Sequence, residues 1–415
     1  MKIGFIGLGK LGLPCAVAID QKGHEVMGYD LNLSRMQKET INYRETAPDG
    51  VSPFEPLLRK SNLKFGSIDE VVRHGEIIFV AIQTPHEEKY EGTTRIPKQR
   101  VDFNYDHLVK GVKEVSKAIE KSGKDRVVVI ISTVLPGTIK KRILPHLNKH
   151  VKLCYNPFFI AMGTTMRDFL NPEFVLFGVV DEKAAALAEK FYRTLHLAPF
   201  YPTSLENAEL IKVSYNTFIG MKIVFANTMM EICHKLGGTM DVDAVTNALK
   251  LANERLISPK YLGAGMGDGG GCHPRDNIAM SWLARKLDLS YDFFDSLMTA
   301  REKQTEWLAK LMTEYKLPKV ILGKAFKPET NITTGSPSIL LKNILEEKKQ
   351  KVTMYDPYLD GPMPIWTKKS VFFVGTKHPQ FEKIKFPKGS VVIDPWRYIK
   401  KQKGVEVILV GAPER

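Results

Sequence analysis

The sequence predicts an α/β protein built from more than one domain. Short apolar, β-branched runs alternate with helical stretches at the start of the chain. A long proline-free helical region fills the middle, and a second alternation of strands and helices follows Pro318. At 415 residues the chain exceeds what one core ordinarily organises, and its 43% hydrophobic content suffices to bury more than one.

Ile3–Ile6 is the first strand, Gly12–Lys22 the first helix and Glu25–Tyr29 the second strand. Further strands are predicted at Ile77–Ile82 and Val127–Ile131, with an amphipathic helix over Tyr105–Lys121 between them. Strands that are apolar throughout belong to a parallel sheet covered on both faces. Leu205 to Leu236 contains no proline and one interior glycine, Gly220, which predicts a single long helix. Helical patterns continue over Val242–Asn253 and Asn277–Thr313, separated by a glycine-dense segment at 263–271. Beyond Pro318, strands are predicted at Lys319–Leu322, Lys351–Tyr355, Ser370–Val374, Val391–Ile393 and Val405–Val410.

No segment has the length of a membrane span. The apolar start up to Ile19 has the look of a signal peptide, but Lys10 interrupts it and no small-residue cleavage site follows. The formal net charge is +14, and residues 301–415 carry most of it, with 22 Lys/Arg against 12 Asp/Glu. These cations are dispersed, with no basic run and no aromatic interleaving, so no nucleic-acid-binding module is expected. A pocket for a nucleotide diphosphate would need only a few of them. The four cysteines, Cys15, Cys154, Cys233 and Cys272, form no CxxC pair. Neither a disulfide framework nor a metal site is expected, and a reducing cytoplasm is the natural compartment.

Gly7-Leu8-Gly9-Lys10-Leu11-Gly12 lies between a predicted strand and a predicted helix. In a dinucleotide-binding turn the first glycine permits the tight bend, the second lets a pyrophosphate approach the backbone, and the third lets helix pack on sheet. The helix N-terminus then offers free N–H groups to the phosphates. Asp30 ends the second strand, where a carboxylate accepts both ribose hydroxyls and repels a 2′-phosphate, so NAD is the expected cofactor.

The second unusual stretch is Gly265-Met266-Gly267-Asp268-Gly269-Gly270-Gly271-Cys272-His273-Pro274-Arg275-Asp276. Glycines this dense mark a loop that a ligand approaches closely. Composition alone leaves two readings open: an inert cysteine in a flexible loop, or a thiol activated by His273 and Arg275.

This segment resembles the active-site loop of the UDP-glucose/GDP-mannose dehydrogenase family, in which a glycine-rich turn leads to Cys and then to Asp four residues later. Val80–Pro85 and Ile131–Thr138 resemble its cofactor-side loops. Asn156-Pro157 followed by Gly163-Thr164 resembles its substrate-side strand, and Glu209–Asn216 the start of its central helix. Ala325-Phe326-Lys327-Pro328, Thr330 and Ser336-Pro337 resemble its C-terminal domain. The resemblance implies two Rossmann-like domains with parallel sheets, joined by a long central helix that also forms a dimer interface. Its boundaries would be 1–200 for NAD binding, 201–313 for the helical middle domain with the cysteine loop, and 314–415 for the nucleotide-sugar domain.

The chemistry so implied is a double oxidation of UDP-glucose at C6, through a thiohemiacetal and a thioester on Cys272, to UDP-glucuronate. Lys212 would stabilise the oxyanion, Asn216 would hold the sugar, and Asp276 and Thr133 would position water. Gly7, Gly9, Lys10, Leu11, Gly12, Asp30, Thr84, Pro85, Thr133 and Arg275 would contact NAD. Phe158, Ile160, Lys212, Asn216, Arg255, Tyr261, Gly269, Lys327 and Arg397 would contact the nucleotide sugar.

The chain departs from the family at four places. Phe158 and Met162 stand where many members have glutamates, which leaves thioester hydrolysis to Asp276 and water. Thr334 replaces a usual arginine and Gly263 a frequent lysine. Arg397 has only loose spacing to its counterpart. Glu173, in a second Asn-Pro at 171–172, has no spacing that places it near the site. UDP-glucose therefore leads, with UDP-N-acetylhexosamines and GDP-mannose as alternatives. A single-step β-hydroxyacid dehydrogenase and a non-catalytic nucleotide-sugar sensor are the competing readings; the second α/β unit and Cys272 argue against the first, and the retained set of Cys272, Lys212, Asn216 and Asp276 against the second.

Overall fold

A computed structural model of the chain describes residues 1–33, 45–85, 101–161, 163–236, 238–258, 264–267, 269, 274 and 284–412. The chain divides into two compact units, Met1–Gly220 and Met221–Arg415.

The first unit begins with β1 (Lys2–Ile6), α1 (Gly12–Gln21), β2 (Glu25–Tyr29), α2 (Glu55–Lys60), β3 (Lys64–Phe65), α3 (Ile68–His74) and β4 (Ile77–Val80). It continues with α4 (Asp106–Ser122), β5 (Arg126–Ile130), β6 (Val151–Tyr155), α5 (Thr165–Leu170), β7 (Val175–Val179), α6 (Glu182–Tyr192) and β8 (Phe200–Thr203). The sheet order is β3-β2-β1-β4-β5-β6-β7-β8. Neighbours are parallel except β6 and β7, which run antiparallel, a departure from the all-parallel expectation.

Ile3 and Phe5 of β1 face one core layer with α1 and α6, while Ile6 faces the other with Ile78, Val80, Val112 and Val115. That two-sided burial is why these strands read as continuous apolar runs. α3 is fixed at its start by a reciprocal capping box between Ser67 and Glu70. α4 buries Leu108, Val112, Val115 and Ile119 on one face and stops at Gly123, whose φ of 65° closes the helix in the left-handed region. Because β4 returns to lie beside β1, the strand order reverses there. A crevice opens at the C-terminal ends of those two strands, where ligands bind in sheets of this kind.

α7 (Leu205–Leu236) runs unbroken over the predicted span and crosses the boundary between the units. The second unit contains α8 (Val242–Lys250), α9 (Phe293–Thr313), β9 (Lys319–Leu322), α10 (Pro337–Glu347), β10 (Val352–Tyr355), β11 (Val371–Val374), β12 (Val391–Asp394) and β13 (Glu406–Leu409). Its sheet is parallel throughout, in the order β10-β9-β11-β12-β13. Within the pattern over Asn277–Thr313, residues 277–283 lie outside the described residues, 284–286 are helical, and the helix is interrupted before α9 starts at Phe293. Asp288 takes a φ of 50°, and the Asp292 side chain caps the new helix by accepting from the Asp295 N–H at 2.9 Å.

Candidate active site

The glycine turn after β1 has the geometry its sequence calls for. Gly7 takes a φ of 92°, and its N–H donates to the Tyr29 carbonyl at 2.9 Å. A Cβ on Gly12 would lie 2.0 Å from the Gly7 carbonyl oxygen, so only glycine lets α1 start this close to the turn. The Asp30 carboxylate accepts the Leu8 N–H at 2.7 Å with one oxygen and the Asn32 N–H at 2.9 Å with the other. Gly7, Gly9, Asp30, Ala81, Gln83 and Pro85 line a cavity of about 550 Å³ at the strand-order reversal. Lys10 is exposed and Leu11 half-buried at its edge. The Thr84 hydroxyl donates to the Thr133 carbonyl at 2.8 Å, which ties the loops after β4 and β5 together. The turn, the acid and the open volume fit a dinucleotide, with Gly7, Gly9 and the start of α1 toward the pyrophosphate and Asp30 toward a ribose.

In the same unit, Lys212 is buried on α7 at 7% exposure. Its ammonium donates to the Phe158 carbonyl at 2.7 Å and lies 5.1 Å from the centre of the Phe159 ring. Burial pulls its pKa below the ordinary lysine value. Asn216, one turn on, lines a cavity of about 330 Å³ with Phe159, Ile160, Asp168, Glu173 and Tyr215. Glu173 thus stands on the wall of the cavity that holds Asn216, although sequence spacing gave it no place there. Burial, with the charges of Glu173 and Asp168, raises the Tyr215 phenol pKa. Asp168 is committed to the Ala161 N–H, the Thr164 hydroxyl and Arg167.

The second unit repeats the construction of the first. Gly323, after β9, takes a φ of 100° and donates to the Tyr355 carbonyl at 2.7 Å, as Gly7 does to Tyr29. Asp356 takes the place of Asp30: its carboxylate accepts the N–H groups of Lys324 at 2.7 Å, Ala325 at 2.9 Å and Tyr358 at 2.9 Å. Asp356 is fully buried and also meets His378 Nε2 at 3.1 Å, so it has no free edge for a ribose. Lys324 pairs with Asp360 at 2.6 Å. Lys327 is exposed, its ammonium 5.5 Å from the Phe326 ring centre, and Arg255 is exposed.

The glycine segment is seated in this unit by close contacts. A Cβ on Gly265 would fall 2.2 Å from the Trp396 ring, and one on Gly269 would meet Pro337, Gly335 and Phe326. Arg397, at a φ of 62°, donates to the carbonyls of Ala264 at 2.6 Å and Val410 at 3.2 Å, and to that of Pro395. It holds the glycine segment, a role not foreseen from its spacing. Cys272, Asp276, Arg275, Tyr261, Met162 and Gly263 lie outside the described residues.

Comparison with known proteins agrees with this geometry. Residues 1–196 match the NAD binding domain of the UDP-glucose/GDP-mannose dehydrogenase family, and residues 206–303 match its central domain. The chain belongs to this family. A UDP-glucose 6-dehydrogenase of Bacillus subtilis is 30% identical over 377 residues, covering 86% of this chain and 76% of that protein. A GDP-mannose 6-dehydrogenase of Pseudomonas aeruginosa is 27% identical over 367 residues, covering 86% and 81%. In fold, the chain is similar to a crystal structure of GDP-mannose dehydrogenase from the same organism, with a TM-score of 0.84 over 98% of this chain and 99% of that one, at 24% identity.

This member of the family is therefore a nucleotide-sugar dehydrogenase that uses NAD. In the sequence of this dehydrogenase Glu209 stands out only as part of a motif, yet it is fully buried and bonded to the loop after β5. Its position three residues before Lys212, on the same helical face, was the available signal. Asp356 and His378 were missed because the second unit has no GxGxxG to mark its acid. Among the described residues, no helix is long and apolar enough to cross a membrane.

Proposed function

We propose that this dehydrogenase oxidises the primary alcohol of a nucleotide sugar to the carboxylate, with UDP-glucose the leading substrate and Cys272 the nucleophile. NAD, bound at the Gly7–Asp30 crevice, supplies the hydride acceptor in both oxidations. Lys212 places its positive charge beside the substrate-side segment and steadies the alkoxide as the alcohol proton leaves. The Cys272 thiolate then adds to the aldehyde, and loss of a second hydride converts the thiohemiacetal to a thioester. Water adds to the thioester carbonyl, the C–S bond breaks, and the carboxylate leaves as the thiol is restored. Asn216 holds the sugar. With Phe158 in place of an acid, the carboxylates we assign to take the proton from water are Asp276 and Glu173, the latter on the wall of the Asn216 cavity.

The observation that carries this reading is Lys212. An ammonium at 7% exposure, held by one carbonyl and one ring, lacks an ion-pair partner among the described residues and is poised for a transient anion. GDP-mannose is the second reading, supported by the 27% identical relative that acts on it. α7 also exposes the apolar side chains Leu210, Ile219, Met221 and Met230, which makes this helix suited to a second copy of the chain. We take the enzyme to be a homodimer through it, which light scattering would test.

The test of the activity is stoichiometric. Purified protein is given NAD with UDP-glucose, GDP-mannose or a UDP-N-acetylhexosamine, and NADH is counted against sugar consumed. Two NADH per sugar with one substrate, and none from Cys272→Ala, is expected. One NADH per sugar, or activity surviving the substitution, would sink the thioester route. No turnover with any of them would favour a sensor.

A further inference from the structure

We propose that Glu209 is a positioning residue for the oxidation, fastening the loop that carries Thr133 to the same helical face that carries Lys212; the catalytic part of this rests on the reading above. The carboxylate is fully buried. One oxygen accepts the Gly137 N–H at 2.5 Å and the other the Ile139 N–H at 2.7 Å. These two amides open a π-helical turn, Ile139–Ile143, whose leading residue Thr138 makes no side-chain cap. Glu209 thus supplies from α7 the acceptor that the turn does not supply for itself, seventy residues away in sequence.

Side chains hold the loop between β5 and this turn at several points, among them the Ser132 hydroxyl, which donates to the Ile82 carbonyl at 2.5 Å. Thr84 donates to the Thr133 carbonyl at 2.8 Å, and the Leu135 N–H donates to the Tyr105 hydroxyl at 3.2 Å. Glu209 ties the same stretch to α7 from within the core, while at the surface Glu206 of α7 reaches Lys140 of the turn at 3.3 Å. Lys212 follows three residues later, and residues so spaced share a helical face. The buried Glu209 carboxylate is therefore a tether between the Thr133 loop and the face of α7 that carries Lys212. Burial raises the pKa of that carboxylate against the two amides that lower it, which marks the position as costly to fill with a charge. An apolar residue could fill the space, but it could not satisfy two amides at once.

Glu209→Gln tests this, because the amide oxygen can still accept one N–H while its NH2 faces the other donor. Three quantities are measured on the full chain: steady-state kinetics with NAD and the nucleotide sugar, Tm, and amide hydrogen exchange across residues 131–143. Expected are a Tm within a few degrees of the parent, kcat lower by about tenfold or more, and both KM values within about threefold. Exchange should quicken at Gly137 and Ile139 but not along α7. A folded Glu209→Gln with unchanged kcat would overturn the proposal, as would a loss of kcat that merely tracks Tm in Glu209→Gln and Glu209→Ala alike. If the parent protein turns over no nucleotide sugar, the functional reading fails by itself. The exchange arm then still decides whether Glu209 holds the loop, and unchanged protection at Gly137 and Ile139 would refute it.

Discussion

Replacing Lys212 by methionine separates catalysis from stability. The side chain is 7% exposed, bonded to the Phe158 carbonyl at 2.7 Å and set over the Phe159 ring at 5.1 Å. Removing the ammonium forfeits a charge-assisted hydrogen bond of about 1.5–3 kcal/mol and a ring contact of roughly 0.5–1 kcal/mol. Against that stands relief of the desolvation cost, several kcal/mol for a buried ion. Methionine also keeps the unbranched stem in place. The terms nearly cancel, so the stability change should lie within about 1 kcal/mol, or roughly 2–4 °C in Tm for a unit of this size. The catalytic loss should be far larger, about 10²–10³ in kcat, as for removal of an oxyanion donor.

The pH dependence has a defined sign. Burial lowers the Lys212 pKa, and the charged form is the useful one, so kcat falls as pH rises through the depressed value. In the unfolded chain the amine keeps its proton up to the ordinary lysine value, so the unfolded state binds more protons between the two. Stability therefore rises with pH across that window, and Lys212→Met removes the rise. Steady-state NADH production and thermal melts from pH 6 to 10 would measure both. A variant that keeps more than a tenth of kcat, or that loses activity only as it unfolds, would show Lys212 to be a structural residue.

Gly12→Ala would place a Cβ 2.0 Å from the Gly7 carbonyl oxygen, so the turn must open; NAD affinity measured by titration calorimetry should fall by about tenfold or more. Asp30→Asn keeps an acceptor for Leu8 but removes the charge that repels a 2′-phosphate; the preference for NAD over NADP in kcat/KM should shrink by about tenfold. Asp356→Asn turns an amide NH2 toward a backbone donor or His378 and should cost about 2–4 kcal/mol, read as a lower melting transition. Burial works to raise the Asp356 pKa, but His378 and the three amides together hold it well below the usual carboxylate range. Its contribution is present above that range and is lost as pH falls through the depressed value, so the variant should also flatten the acid side of the stability curve.

What could be read from the sequence follows how strongly local physics fixes each feature. β1, β2, β4 and β5 are apolar on both faces, and their ends fall within about two residues of expectation. The long helix Leu205–Leu236 follows from a stretch with no proline and one interior glycine. The far half of the first sheet was not outlined strand by strand. β6 begins Val-Lys and β8 carries Pro202, so neither shows the continuous apolar run that marked the rest, whereas β7, Val175–Val179, does carry such a run. In the site, Gly7, Gly12 and Asp30 were legible because a phosphate turn restricts residue type at each position. Glu209 and Arg397 were not, because their partners are distant backbone groups, and Glu173 was not, because the fold brings it to the cavity wall.

Phe158 shows how far one substitution can spread. Its ring packs on Phe169 at 5.4 Å and joins the apolar cluster beside β6, while its carbonyl holds the Lys212 ammonium. A glutamate there has two outcomes. Its carboxylate can stay against Phe169 and take up a proton, since a charge in that setting is strongly disfavoured. Or it can turn toward Lys212 and form an ion pair, which raises the lysine pKa and shares the positive charge that would otherwise meet an oxyanion. Phe158→Glu should therefore cost about 2–3 kcal/mol in stability from the lost ring burial, and the pH profile separates the two outcomes, since only the ion pair moves the alkaline limb of kcat to higher pH. Rapid mixing decides whether it also restores a hydrolytic base. If thioester cleavage limits the parent, one site releases two NADH in a burst before a slower steady state, and Phe158→Glu removes the burst by speeding the last step. A parent protein with no burst would mean that water reaches the thioester readily without an acid at 158, and Glu173 or Asp276 is then base enough.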